Sequence, residues 1–184
     1  AYLMLKQQDA VGLITFSNRI EKMIPPKATH GHLFAILKEL EDRTPAGETR
    51  AGAVLQELAG SLKRRGLIIL ISDLLDEPEE VLRGLKQLRS KGSDIIVFHL
   101  LDRDELKFPF EEPTLFKDME EDIKLLTDPH SVRPAYLKAI HSLIDGYKQS
   151  CASYLIDYSL FDTSIGLDRA LARYLTWREK FRPL

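Results

Sequence analysis

Oxygen-bearing side chains follow the most apolar run of the chain, and another lies upstream of it. The run Leu67 to Ile71 ends directly before Ser72 and Asp73, and Asp76 follows three residues later. Thr49 stands before a separate apolar-periodic stretch. Carboxylate and hydroxyl oxygens are the ligands that hard cations such as Mg²⁺ take in proteins. These side chains therefore make a metal site one candidate role for this segment. Its main candidates are Thr49 and Asp73, and its secondary candidates are Ser72 and Asp76.

The two main candidates also have ordinary structural explanations. An aspartate in the position of Asp73 commonly bonds the backbone of a turn or caps a helix. Thr49 precedes an apolar-periodic stretch, where a threonine N-cap is common. Local sequence leaves both explanations open beside the metal site.

Motifs of the common enzyme classes do not fit the chain. The segment Gly47 to Gly52 begins like a phosphate-binding Walker loop, but Ala53 stands where that loop requires lysine. The Gly-x-Ser-x-Gly elbow of a serine hydrolase does not occur. A metal-assisted phosphohydrolase stays open as an alternative, and it would need Asp102 and His99 as further contributors.

The remaining histidines and the cysteine favour structural roles. His30 and His32 are two residues apart and would not share a helix face, so a loop or first-turn role is favoured over zinc binding. His99 ends an apolar run and is expected to pack at the end of a strand. Cys151 falls on the apolar register of a helix, which predicts a core position.

The composition is that of an ordinary globular protein. The 184 residues suit one domain over 1–184, and 26 basic against 28 acidic residues argue against a basic nucleic-acid-binding face. The apolar runs are far shorter than the roughly 18 residues of a membrane span. One cysteine excludes an internal disulfide and fits a cytoplasmic location.

The segments that flank the candidate residues predict strands and helices in alternation. Predicted strands are Ala10–Ser17, an edge strand Ile20–Ile24 ended by Pro25 and Pro26, Leu67–Ile71 covered on both faces, Asp94–Leu101 and Tyr154–Tyr158. Predicted helices are the end of a helix at Ala1–Lys6, one around Leu33–Leu40 capped by Thr29, and others over Thr49–Arg65, Pro78–Gly92, Ser131–Cys151 and Leu167–Lys180.

This order of elements predicts an α/β fold of three layers, with a mainly parallel central sheet flanked by helices. One stretch departs from the alternation, because two short apolar segments enclose an acidic turn between residues 113 and 126. We expect a β-hairpin insertion there. Asp73 would then lie at the carboxyl end of a parallel strand, where open α/β sheets place their ligands.

The ordered set of segments resembles von Willebrand factor A-like domains. Asp9–Ser17 resembles their second strand, Pro45–Thr49 their threonine loop, and Leu70–Asp76 their strand-end aspartate. Asp94–Asp102 and Leu155–Tyr158, with the hairpin, resemble more closely the bacterial family called domain of unknown function fifty-eight. The resemblance covers nearly the whole chain.

The resemblance implies a metal-ion-dependent adhesion site that is built from three loops. Thr49 and Asp73 match the second and third loops, whereas the Asp-x-Ser-x-Ser of the first loop has no match. We therefore expect a chain that starts inside the domain and binds Mg²⁺ or another divalent cation weakly or not at all by itself. The unmatched first strand would lie between the strands at Val11–Phe16 and Leu67–Ile71. We expect those two strands either to pair directly or to form a homo-oligomer through exposed edges.

The function that the resemblance implies is that of a cytoplasmic adaptor. Its cation would bridge the chain to a carboxylate of a partner protein, and the implied partner is a MoxR-type AAA ATPase in protein assembly or maturation. Two alternatives remain beside this hypothesis, namely the metal-assisted phosphohydrolase and a structural module without a metal.

Overall fold

The computed structural model describes residues 1–44, 49–117 and 124–181, in which helices and strands alternate along much of the chain. In chain order the elements are α1 (Tyr2–Lys6), β1 (Val11–Phe16), β2 (Ile20–Lys27), α2 (His30–Glu41), α3 (Ala51–Ser61), β3 (Leu67–Ser72), α4 (Pro78–Ser90), β4 (Asp94–Leu101), α5 (Arg103–Lys107), β5 (Thr114–Lys117), β6 (Lys124–Thr127), α6 (Pro129–Ser153), β7 (Asp157–Asp162) and α7 (Leu167–Phe181).

Three of the strands form a parallel sheet in the order β3-β4-β7. The register places Leu67 beside Asp94 and Ile96 beside Asp157. Helices separate these strands along the chain, as parallel connections require. Two antiparallel pairs, β1 with β2 and β5 with β6, complete the described strands. The α/β class, the parallel sheet flanked by helices and the pairing of the two hairpin strands are therefore confirmed. The predicted acidic turn between those strands lies outside the described residues.

The main core lies on one face of the parallel sheet. There α3, α4 and α6 bury their apolar stripes against β3 and β4, so the predicted helical periodicity is realised. Its buried members include Ala51, Leu55, Leu58, Leu70, Leu74, Val81, Leu85, Leu88, Val97, Tyr147 and Cys151.

The opposite face of the sheet is covered only in part. A smaller cluster of Ile96, Phe161 and Tyr174 packs α7 over β4 and β7. On β3, however, the alternate residues Leu67, Ile69 and Ile71 are 43%, 45% and 58% exposed. The prediction that this strand is covered on both faces is therefore wrong, since the described helices reach only its inner face.

Two strand edges have no partner in the part of the chain that the structure describes. β3 pairs only with β4, and β1 pairs only with β2. Direct pairing between β1 and β3 was one expectation, and it is wrong. Phe16 and Ile14 of β1 still pack against the main core through their side chains. The two strands thus belong to one core without sharing backbone hydrogen bonds.

The second strand continues through its two prolines. β2 runs to Lys27, which pairs with Val11, although Pro25 and Pro26 were expected to end it. Proline is tolerated on an edge strand because the missing N–H faces away from a partner. The end predicted for this strand is therefore wrong.

The last strand begins later than predicted. Tyr154 caps the long helix α6, and the N–H of Ile156 donates to the carbonyl of Cys151 across the helix end. Leu155 takes a positive φ of 58° in this turn. β7 therefore occupies Asp157–Asp162, and the apolar residues from Tyr154 onward belong to the turn rather than the strand.

Helices α3 and α4 approach each other at two glycines. A Cβ on Gly52 would lie 2.5 Å from the Cβ of Glu80, and one on Gly84 would lie 2.5 Å from the Cβ of Leu55. Real Cβ atoms do not approach so closely, so these positions require glycine for packing rather than for backbone freedom. The contact fixes the start of α3 beside the start of α4.

Candidate functional site

Asp73 follows the last residue of β3 and lies exposed at the carboxyl end of the strand, as predicted. Its Oδ1 accepts from the N–H of Leu75 at 3.4 Å, which closes a local turn. Between them Leu74 is fully buried and has a positive φ of 55°. The buried leucine holds this unusual backbone in place, so the position of the carboxylate is set by the core.

Ser72 supports the same turn. Its Oγ accepts from the N–H of Leu74 at 3.1 Å and donates to Asp73 Oδ1 at 3.3 Å. The hydroxyl thereby satisfies a backbone donor in the tight turn. This contact gives Ser72 a positioning role for Asp73, and its role as a metal ligand stays a prediction.

Asp76 connects the turn to another element. Its Oδ2 accepts from the N–H of Gly52 at 2.9 Å, and its Oδ1 accepts from the N–H of Glu77 at 2.7 Å. The N–H of Gly52 is one of the donors that the start of α3 leaves without an intrahelical partner. Asp76 therefore caps a helix that is distant in sequence, and a metal role for it also stays a prediction.

Thr49 lies half-buried just before α3. The helix begins at Ala51 with Arg50 in the N-cap position, so the predicted N-cap role of Thr49 is wrong. The N–H of Arg50 donates to the carbonyl of Ser17 at 3.0 Å, which holds this segment at the end of β1. The preceding residues, 45–48, lie outside the described residues.

The structure thus places the two main candidates on segments that are fixed to each other. Thr49 and Asp73 each lie three residues from an end of the Gly52–Asp76 hydrogen bond. Sequence reasoning missed this connection, because nothing in the local pattern pairs a helical glycine with an aspartate 24 residues later.

A buried histidine lies next to the candidate segment. His99 is beside Ser72 in the β3–β4 register and is fully buried, with its Nδ1 2.7 Å from the hydroxyl of Tyr158. Burial lowers the pKa of His99, and the backbone and charge of Asp73 offset this lowering in part. The prediction that His99 is packed is confirmed, but the strand continues beyond it to Leu101.

Two tyrosines complete this buried polar cluster. Burial raises the pKa of Tyr147 and of Tyr158, and the charge of Asp76 raises that of Tyr147 further. The rings of both tyrosines lie edge-on to His99, with centroids 5.9 and 5.8 Å away. Sequence reasoning had placed these tyrosines in a helix and a strand without linking them to His99, which comes from a third element.

The other residues weighed for chemistry have structural surroundings. Cys151 is buried in the core, and burial raises its pKa to about 12, so its thiol stays protonated. His30 and His32 fall in the first turn of α2, as predicted. Asp102 caps α5 by accepting from Asp104, and it also accepts from the hydroxyl of Thr163 at 2.9 Å.

These contacts weigh against the phosphohydrolase alternative. His99 is fully buried, so it would have to move before it could contact a substrate. Hydrogen bonds from the Asp104 backbone and the Thr163 hydroxyl hold the pKa of Asp102 below its usual range. A carboxylate of that kind is a weak general base.

The donors fit a divalent cation in chemistry but are few in number. Asp73 offers a carboxylate and Thr49 a hydroxyl, and Mg²⁺ is commonly held by one or two carboxylates together with several waters. Among the described residues no three His, Cys, Asp or Glu side chains group as metal ligands. Asp73 and Thr49 alone are therefore fewer protein donors than a tightly held cation requires.

Across residues 1–44, 49–117 and 124–181, no helix has both the length and the apolar character needed to cross a membrane.

Two solved structures from Bacteroides share the fold. One, described as a conserved hypothetical protein BatB from Bacteroides thetaiotaomicron, is 18% identical with a TM-score of 0.57, over 96% of this chain and 83% of that chain. The other is described as an aerotolerance-related membrane protein from Bacteroides fragilis NCTC 9343. It is 19% identical with a TM-score of 0.54, over 96% of this chain and 86% of that chain. At such identities the likeness concerns the fold alone.

The family comparison is more specific than the structural likeness. No curated protein sequence matches the chain significantly. The family model described as "Protein of unknown function DUF58" matches residues 1–142, which is more than half of the chain. This chain therefore belongs to the DUF58 family.

Proposed function

We propose that this chain is a protein-binding module of the von Willebrand factor A-like kind. In this proposal a divalent cation connects Asp73 and Thr49 to a carboxylate of a partner protein. The carboxyl end of a parallel sheet is the usual place for ligands in α/β folds, and Asp73 stands there exposed.

The observation that carries the proposal is the hydrogen bond from the Gly52 N–H to Asp76 Oδ2, at 2.9 Å. It fixes the segment of Thr49 to the turn of Asp73, although the two are separated by a helix and a strand. A shared ligand needs its protein donors to be held together in this way before it binds. A cap that served only α3 could have come from an adjacent residue.

The cation in this proposal is Mg²⁺ or another ion that prefers oxygen ligands. When bound, it would supply an open coordination position for a carboxylate of the partner. Asp73 and Thr49 provide two protein oxygens, so affinity in the absence of further donors is expected to be low. In von Willebrand factor A-like domains, which this chain resembles, an Asp-x-Ser-x-Ser loop supplies such further donors.

The partner in this proposal is a MoxR-type AAA ATPase, and the compartment is the cytoplasm. Both rest on the resemblance of the chain to von Willebrand factor A-like modules. The single, buried and unpaired Cys151 is compatible with a reducing compartment.

The test compares binding of the protein to the ATPase with Mg²⁺ and with a chelator. We expect the chelator and Asp73→Ala each to weaken binding at least tenfold, since either removes the bridge. Asp104→Ala is the matched control, because it removes an exposed carboxylate from the same edge of the sheet. Equal binding by Asp73→Ala and the unchanged protein would refute the metal bridge and favour a metal-free module.

A further inference from the structure

A run of three positively charged residues lies just before the amino end of β3, and Asp73 follows the carboxyl end of the same strand. Lys63, Arg64 and Arg65 form the only three consecutive basic residues in the sequence. They connect the end of α3 to the start of β3 and are all exposed. β3 has six residues, so this run lies roughly 20 Å from Asp73 along the strand.

These cations form no ion pair within the described residues. Lys63, Arg64 and Arg65 form no hydrogen bond or ion pair there, by side chain or by backbone. The nearby carboxylate of Asp94 is already engaged, since its Oδ1 accepts from Arg89 at 2.6 Å. The run therefore carries an uncompensated positive charge on a chain whose net charge is -2.

The three cations also line a cavity that is half open to solvent. Its volume is about 240 Å³, which is well above the ~30 Å³ that a water molecule occupies in the liquid. Leu62 and Leu88 contribute an apolar part of the wall. Lys91 lines the cavity as well, and its position is fixed because its ammonium donates to the carbonyl of Ala59.

We propose that this cavity is a binding site for a phosphate-bearing anion. Two neighbouring arginines suit phosphate in particular, because each guanidinium presents parallel donors that match phosphate oxygens. The same chemistry fits a soluble phosphate compound and the headgroup of an anionic lipid.

The test uses pyrophosphate as the soluble probe and phosphatidylcholine vesicles with or without phosphatidylglycerol as the membrane probe. Calorimetry measures binding of pyrophosphate and flotation measures binding of the vesicles, both at low ionic strength. We expect saturable binding of at least one probe, weakened about tenfold or more by Arg64→Gln with Arg65→Gln. Binding of pyrophosphate alone assigns a soluble ligand, and binding of the phosphatidylglycerol vesicles alone assigns a headgroup.

The matched control is Lys138→Gln with Arg173→Gln, which also removes two exposed positive charges but leaves the cavity intact. It should bind like the unchanged protein. Absence of saturable binding to both probes, or equal weakening by both double variants, would overturn the proposal. Asp73→Ala should bind both probes like the unchanged protein. The phosphate-site proposal and the metal-bridge proposal are therefore tested independently of each other.

Discussion

Asp76 has more influence on the candidate site than its sequence position indicates. Its two carboxylate oxygens accept from the N–H groups of Gly52 and Glu77. Gly52 lies in the first turn of α3, and Glu77 directly precedes α4. A carboxylate near the start of a helix is also favoured by the helix dipole. At the residue scale, the site therefore depends on Asp76, which joins the two segments, as well as on Thr49 and Asp73, which are proposed to bind a cation.

Replacement of Asp76 by alanine should destabilise the fold. The N–H of Gly52 loses its acceptor, and loss of a helix cap costs about 0.5–2 kcal/mol in the free energy of unfolding. Urea denaturation followed by circular dichroism measures the change. Asp9→Ala removes an exposed aspartate from a turn and serves as the control, with an expected change within about 0.5 kcal/mol. Equal stability of the two variants would contradict the capping role.

The buried histidine predicts a dependence of stability on pH. Burial lowers the pKa of His99 below 6.5, so in the folded state it stays neutral at pH values where the unfolded chain is already protonated. The unfolded chain then binds more protons. The contribution of His99 to stability is therefore fully present above about pH 6.5 and decreases as the pH falls below it.

Chemical denaturation at several pH values between neutrality and mild acid tests this expectation. The unchanged protein should lose unfolding free energy as the pH falls, and His99→Gln should lose less over the same range. His141→Gln, which changes an exposed histidine on α6, is the control and should keep the slope of the unchanged protein. Identical slopes for all three proteins would contradict the role of His99.

At the scale of elements, the decisive contact is the one between α3 and α4. Gly52 and Gly84 let the helix backbones approach more closely than side chains would permit. In the sequence, α3 precedes the turn of Asp73 and α4 follows it. The separation of the two helices therefore also sets the geometry of that turn. The close contact explains why the hydrogen bond from Gly52 to Asp76 can form.

A methyl group at Gly52 should therefore be costly. Gly52→Ala would place its Cβ 2.5 Å from the Cβ of Glu80, and such overpacking costs about 1–3 kcal/mol. Gly60→Ala on the same helix meets nothing within 4 Å and should stabilise the fold by roughly 0.5–1 kcal/mol, because alanine favours helix. Thermal unfolding of both variants gives the comparison. A destabilisation of similar size at both positions would contradict the packing argument.

At the scale of the whole molecule, the exposed outer face of β3 lies beside a strand edge that has no partner among the described residues. Leu67, Ile69 and Ile71 form this face, and the edge faces away from β4. A flat apolar edge strand favours pairing with another chain. The isolated chain is therefore expected to self-associate.

A charge on the outer face of β3 should oppose this association. Ile69→Lys places a lysine on the 45% exposed position and keeps the inner face intact. Analytical ultracentrifugation over a range of concentrations should show weaker association than for the unchanged chain. Leu126→Lys, on the 70% exposed position of the hairpin, is the control. A monomeric unchanged chain at all concentrations would contradict the expectation.

The sequence predicted most elements, because their signals are local. Leu67–Ile71 is β-prone, Pro78 opens α4, and Cys151 on the apolar register of α6 is buried. The errors arose where tertiary contacts decide. The exposure of Ile69 depends on which helices cover the sheet, and the late start of β7 depends on a turn at Leu155.

The candidate site was predictable only in part for the same reason. A strand-end position identified Asp73, since that signal lies within one segment. The hydrogen bond between Gly52 and Asp76, and the cluster of His99 with Tyr147 and Tyr158, join segments that are distant in sequence. Such pairings leave no local periodicity from which they can be read.

The link between Gly52 and Asp76 also has a consequence for the thermodynamics of association. Because it holds the two segments in one arrangement before any partner arrives, little conformational entropy is lost when the partner docks. In the proposed complex, the conformational entropy lost on binding at the carboxyl end of the sheet should therefore be small, as it is for rigid surfaces. Asp76→Ala would make the same encounter entropically more costly even where every contacting side chain is retained.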